Sequence, residues 1–159
     1  MKPIDFFEHA LKHTFGLYAP GLARAARRSL VEQTGFYDNC ILGAGDRALA
    51  CALNGSFEHS VAFMKTNEQE KLSYLEWAQA FNRDSEDRAG FVPGNLLHLW
   101  HGSLPDRRYG TRHVDMAPYG FNRFEDIKLD EAGLLKWSSD KPALLRFVAE
   151  FFSSRREDG

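Results

Sequence analysis

Three short stretches of the 159-residue chain hold side chains that could do chemistry. In GAGDRA, residues 43–48, a carboxylate follows a glycine turn and precedes an alanine-rich run. Asp46 there has two readings. It can cap a helix by accepting backbone amides. It can also serve as a general base, with Gly43 and Gly45 letting a substrate approach the backbone closely. Arg47 completes an acid–base pair and joins the candidate substrate contacts. The stretch also satisfies G-x-G-x-x-[GA], the dinucleotide fingerprint, which requires a buried parallel strand before the turn. The run before it contains Asp38 and Asn39, and the next acids, Glu68 and Glu70, fall at the start of a helical pattern. A nicotinamide-cofactor reading therefore needs residues 43–48 to follow a central parallel strand.

In HLWHG, residues 98–102, His98 and His101 flank Trp100. In an extended segment His98 and Trp100 share one face and His101 points to the other, so the two histidines would not chelate one ion together. One histidine with carboxylates from elsewhere suits Mn2+ or a similar ion. Partly buried, hydrogen-bonded histidines are the plainer alternative. In DRRYGTRH, residues 106–113, Arg107, Arg108 and Arg112 could clamp phosphate, because guanidinium forks match phosphate oxygens. A solvated basic loop is the alternative there. The sequence contains no G-x-x-x-x-G-K-[ST], no Cys/His zinc pattern, no nucleophile elbow and no Ser-His-Asp arrangement that spacing supports.

These residues must be positioned by the elements around them. Residues 1–17 predict a helix, with Phe7, Leu11 and Phe15 at four-residue steps and Gly16 as its stop. LARAARRSLVEQTG predicts a helix from about Ala23 to the stop at Gly35. FYDNCILGAG reads as an extended piece entering the glycine turn. DRALACALNG reads as a short helix opened by Asp46 and closed by Asn54 and Gly55. FEHSVAFM is strand-like. NEQEKLSYLEWAQAFNRD is the clearest helix, capped by Asn67, with Leu72, Leu75, Trp77 and Phe81 on its inner side. SEDRAG is a polar loop, FVPGNLLHLWHG is extended, and SLPDRRYGTRHVDMAPYG is a long loop of the kind that often carries function. EDIKLDEAGLLKWSSD predicts a hairpin around DEAG, and KPALLRFVAEFFSSRRE a final amphipathic helix with Pro142 in its first turn.

The totals fit a globular domain. Apolar residues make up 43% and charged residues 26%, and the formal charge of −2 gives no argument for nucleic acid or an anionic membrane. No run reaches the ~18 apolar residues of a membrane span. Neither that nor the N-terminal MKPIDFFEHALKH suggests a signal peptide, so a cytoplasmic location with Cys40 and Cys51 as reduced thiols is expected.

Taken together, GLARAARRSLVEQTGFYDNCILGAGDRALACAL, NLLHLWHG and DRRYGTR resemble the C-terminal half of GT-A-type glycosyltransferases, most of all the galactosyltransferase-like group, over roughly residues 18–110. The resemblance implies an α/β, α+β-like fold, a single domain of residues 1–159 with helices packed on a small mixed sheet, residues 111–159 adding a loop, a hairpin and the C-terminal helix. It implies transfer of a hexose from a nucleotide-sugar donor to a hydroxyl of a carbohydrate acceptor. By position, Asp46 matches the family's acid beside the acceptor hydroxyl, the catalytic base. His101 matches the late histidine that ligates the divalent ion, Mn2+, at the donor's diphosphate, and His98 is the lesser candidate for that ligand. Gly43 and Gly45 would line the cleft with Arg47 beside them. Trp100 would stack on a sugar or support the histidines, and Arg107, Arg108 and Tyr109 would lie in the loop near the phosphates. The chain departs from the pattern at Arg24, where similar sequences carry an aromatic residue, and in having no Asp-x-Asp. With only residues 1–17 before the resemblance, it is expected to be the acceptor-side half, working with a separate donor-binding domain, or a non-catalytic carbohydrate-binding or partner-completing remnant.

Overall fold

The structure, a computed structural model, describes residues 23–85, 102, 103 and 105–156. They fall into two units, one from residues 23–62 and 72–85, the other from residues 63–71 and 102–156.

The first unit is helical among the described residues. Helix α1, Arg28–Thr34, begins later than the sequence predicts, since residues 23–27 are not helical. Its N-cap position is Arg27, extended at ψ 136° and without a side-chain cap, so no Ser, Thr, Asp or Asn fixes an earlier start. Gly35 ends it at φ +67°, its amide donating to the Val31 carbonyl at 2.8 Å. Residues 35–40 pair in no sheet, so the strand that a dinucleotide fold requires before the glycine turn is not there. Helix α2, Gly45–Leu53, buries Ala48, Ala50, Cys51 and Ala52. Asn82 Nδ2 donates to the Ala52 and Leu53 carbonyls at 2.9 and 3.2 Å and so closes the end of α2.

Helix α3, Phe57–Met64, replaces the predicted strand character of FEHSVAFM. The alternation of large and small residues is misleading there, because the buried positions, Ser60 and Met64, are four apart. Helix α4, Glu68–Ser85, begins as predicted at Asn67, whose Oδ1 accepts the Glu70 amide at 2.9 Å. Its inner face is phased differently from the prediction. Tyr74, Ala78 and Phe81 are buried with Trp77 half-buried, while Leu72 is 64% exposed. The aromatic stripe decides the phase: Trp77 stacks on Phe81 at 5.1 Å and Tyr37 meets the Tyr74 ring edge-on at 5.1 Å. Neither cysteine is in a disulfide; Cys51 is buried and Cys40 half-buried.

The second unit holds the only sheet among the described residues. Strands β1, Ile127–Leu129, and β2, Leu135–Trp137, pair antiparallel, with Lys128 opposite Lys136. This is a simple hairpin where the sequence predicts a small mixed sheet. Its turn chemistry is local: Asp130 Oδ1 accepts the amides of Ala132 and Leu134 at 3.0 and 2.9 Å, and Gly133 takes φ +76°. The predicted long loop is partly ordered into helix α5, Arg112–Met116, and a 3-10 turn, Ala117–Tyr119. Helix α6, Arg123–Asp126, is capped by Asn122, which accepts the Phe124 amide. Helix α7, Pro142–Ser154, buries Leu144, Val148 and Phe151, the stripe expected of an amphipathic helix.

Candidate functional site

The turn before α2 is built from backbone that side chains disfavour. Gly43 stands at φ +87°, and Ala44 also takes φ 87°, ψ 5°. For a residue with a Cβ, the left-handed region costs roughly 1–2 kcal/mol. Ala44 is 4% exposed and its carbonyl accepts the Ala48 amide at 2.8 Å, so burial and the first helical bond hold it there. Gly45 opens the helix, and a Cβ on it would meet the Tyr37 carbonyl at 3.5 Å, an ordinary contact.

This backbone moves Asp46 out of the cap. The N-cap position belongs to Ala44, without a side-chain bond, and Asp46 lies inside the first turn. Its carboxylate accepts the amide of Arg47 at 2.8 Å and is exposed. An acid in the first turn still gains from the helix dipole. The guanidiniums of Arg24 and Arg47 are its electrostatic neighbours. Burial pulls both below their usual value, and the Asp46 carboxylate, with Cys51, opposes that pull. Burial pushes the Cys51 thiol up to about 11, against the attraction of Arg47, Ser60 and Arg24, so it stays a neutral thiol at physiological pH. The Tyr74 hydroxyl, also raised by burial, donates to the Ala48 carbonyl at 3.0 Å and braces α2 from below. Ser60 Oγ lies close enough to ease both values slightly but closes no well-formed hydrogen bond.

In the second unit the arginines of the 105–112 segment gather on aromatic rings. Arg107 and Arg112 are buried, and their guanidiniums lie 5.9 and 5.1 Å from the centroid of Tyr109. Arg107 Nη1 donates to the Tyr109 hydroxyl at 2.9 Å. The Tyr109 ring therefore organises the guanidiniums of Arg107 and Arg112. Arg108 takes φ 45°, and its Nη2 donates to Ser154 Oγ of α7 at 3.1 Å.

The candidates thus form two groups, Gly43, Gly45, Asp46 and Arg47 in the first unit, and Arg107, Arg108 and Tyr109 in the second. His98, Trp100 and His101 lie outside the described residues. Among the described residues no group of three or more His, Cys, Asp and Glu could hold a metal ion. No helix among them is long and apolar enough to cross a membrane. Sequence reasoning passed over Ala44 and Ser154. A left-handed alanine has no signature beyond its neighbouring glycines. No protein-family model, no curated protein and no solved structure matches the chain.

Proposed function

We propose that this chain acts as the acceptor-side half of a GT-A-type glycosyltransferase, moving a hexose from a nucleotide-sugar donor to a hydroxyl acceptor. The observation that supports it most is the exposed Asp46 carboxylate held two residues after the left-handed Ala44. Strain of that kind persists where a side chain must be aimed. In this reading the acceptor O–H gives its proton to Asp46 as its oxygen attacks the anomeric carbon. The bond from that carbon to the diphosphate oxygen breaks, its electron pair leaves with the nucleoside diphosphate, and the sugar's configuration inverts. Asp46 then returns the proton to solvent. Gly43 and Gly45 let the acceptor approach and Arg47 lies beside the base; in the other unit Arg107, ordered by Tyr109, and Arg108, held by Ser154, are assigned to the phosphates.

The described residues do not by themselves make a metal site. The proposal keeps a divalent ion, Mn2+, held by His101, or in its place by His98, and Trp100 as sugar platform or histidine support. Such an ion, when bound, would neutralise charge on the diphosphate. A separate donor-binding domain and a cytoplasmic location belong to the same proposal. One observation favours a second reading, a non-catalytic carbohydrate-binding or partner-completing remnant: the sequence has no Asp-x-Asp. Hydrolysis of UDP-sugars in the presence of Mn2+ separates the two. Turnover that disappears in Asp46→Asn supports the transferase; no turnover and no Mn2+-dependent nucleotide binding supports the remnant.

A further inference from the structure

The hairpin of the second unit has two unlike faces and an open edge. Its register sets Leu129 opposite Leu135 and Lys128 opposite Lys136. Side chains alternate along a strand, so Leu129 and Leu135 share a face with Ile127 and Trp137, and the two lysines share the other. At the base of the apolar face Trp137 meets Phe121 edge-on at 6.5 Å. Toward the turn that face is bare, with Leu129 62% and Leu135 57% exposed. The ladder shows which backbone groups point outward. The Asp130 amide donates to the Leu134 carbonyl and the Ser138 amide to the Asp126 carbonyl, both at 2.8 Å. Hydrogen-bonded pairs alternate in an antiparallel ladder, so Lys128 and Lys136 bond each other, and the amides and carbonyls of Ile127, Leu129, Leu135 and Trp137 face the edges. On β1 the Ile127 carbonyl is already taken, by Arg123 Nη1 at 3.1 Å. On β2 the amides and carbonyls of Leu135 and Trp137 bond no described residue.

An open edge accepts another strand, and the lysines decide which. Both are exposed, and neither makes an ion pair with a described residue. Like charges directly opposite repel. Pairing β2 over its full length with its own copy would set Lys136 against Lys136 and add to that repulsion. A strand with Asp or Glu opposite Lys136 relieves it instead. The pair so formed is of the non-hydrogen-bonded kind, whose side chains lie closest. The residues flanking that acid must be apolar to extend the face of Leu135 and Trp137. We propose that the β2 edge, Leu135–Trp137, binds an extended segment of a partner protein in which acidic and apolar residues alternate, taken up as a third strand. The edge uses none of the residues of the transferase reading and stands whether or not that reading holds.

Fluorescence anisotropy of a labelled peptide of alternating Glu and Val, titrated with the full chain, tests it. Two control peptides go with it: the Lys-Val counterpart, and the Glu-Val peptide with its valine amides N-methylated, which removes the donors that would face β2. Saturable binding of the Glu-Val peptide is expected, and none of either control. Lys136→Glu should weaken that binding about tenfold and confer binding of the Lys-Val peptide. The new carboxylate opposes Lys128, so this variant should keep its melting transition. Leu135→Thr, at an exposed position, should weaken binding about threefold and carries the test should Lys136→Glu fail to fold. The edge is not a site for such a segment if folded wild type fails to bind the Glu-Val peptide or if the N-methylated peptide binds as tightly. Unchanged affinity in folded Lys136→Glu or folded Leu135→Thr has the same force. A wild-type dimer in sedimentation velocity that Leu135→Thr turns into monomer would give the edge to a second copy. Retention on phosphatidylcholine vesicles, lost in that variant, would give the leucines to lipid. Either result overturns the partner strand.

Discussion

Asp46 and Glu70 both stand in the first turn of a helix, and their surroundings divide them. Glu70 is 6% exposed, and both of its oxygens are engaged: Oε2 accepts the Asn67 amide at 3.3 Å and Oε1 accepts the Arg123 amide at 3.0 Å. Asn67 returns the bond to the Glu70 amide and also donates to the Phe121 carbonyl at 3.2 Å. One carboxylate thereby caps the starts of both α4 and α6. Asp46 accepts its neighbour's amide and faces solvent. Burial raises Glu70 above the usual carboxylate range, against the Arg123 and Asn67 amides, with Asp126 adding to the rise and Lys141 opposing it. A perturbed carboxylate often marks a functional site. Here the perturbed one is architectural, because it is buried and both of its oxygens hold helix starts, and the accessible one at the strained turn is the candidate base.

The sharpest way to break this contrast is to remove each charge in turn. Asp46→Asn should lower UDP-sugar hydrolysis by about 10²–10⁴-fold, the usual contribution of a general base, while urea unfolding moves by less than about 0.5 kcal/mol. A large loss of stability in Asp46→Asn would make it a structural acid like Glu70. Asp126→Ala should behave oppositely. Asp126 is fully buried, its Oδ2 accepts the Asn122 amide at 2.8 Å, and Lys141 Nζ lies 3.0 Å away. Truncation leaves that ammonium without its counter-charge, and unfolding should become easier by about 3 kcal/mol. A smaller change, under about 1 kcal/mol, would show that Lys141, whose side chain is 33% exposed, is rescued by water.

Local chemistry explains which parts of the fold and site were legible. The hairpin could be read because Asp130 and Gly133 build its turn within five residues, and α7 because Pro142 opens an unbroken amphipathic stripe. The cap at Asn67 was readable for the same reason. Helix α3 was not, because its sequence alternates like a strand and only packing chose the four-residue period. Leu72 was misplaced because a leucine looks like core until Tyr74 and Trp77 set the phase of α4. At the site, Asp46, Arg107 and Arg108 are visible by residue type. Ala44 and the pairing of Arg108 with Ser154 depend on backbone angles and on a contact 46 positions apart.

Acid titration sharpens the comparison within the second unit, where two buried carboxylates shift in opposite directions. Burial alone would raise Asp126, but the Ser139 hydroxyl, the Asn122 amide and the Lys141 ammonium outweigh it and hold it below its usual value. Its contribution to stability is therefore present above the unfolded value, about 3.9, and is lost as pH falls toward the depressed folded value. Glu70, raised in the fold, contributes in the other sense. Its share is full below the unfolded value, about 4.3, and is lost as pH rises through the raised folded value. Unfolding free energies measured from about pH 3 to pH 7 should show that Glu70→Gln removes a fall in stability above about pH 4.3, whereas Asp126→Asn removes a loss below about pH 3.9. Identical pH profiles for wild type and Glu70→Gln would mean that the amide bonds to Glu70 cancel its burial.

The smallest effect concerns the turn that presents Asp46. Replacing Ala44 by glycine relieves roughly 1–2 kcal/mol of left-handed strain and gives up about 0.8 kcal/mol for one buried methyl. The added freedom of the unfolded glycine, about 0.4–1 kcal/mol, takes up most of the difference, so Ala44→Gly should leave the unfolding free energy within about 0.5 kcal/mol of wild type. If the strain aims Asp46, the same variant should hydrolyse UDP-sugars more slowly than wild type at comparable stability, since a relaxed turn no longer fixes the direction in which the carboxylate leaves the helix. Asp46→Asn built on Ala44→Gly should then add nothing further to that part of the loss, as expected of two residues acting as a unit. Full activity in Ala44→Gly would separate the turn's geometry from the base, leaving the exposed carboxylate to account for the chemistry by itself.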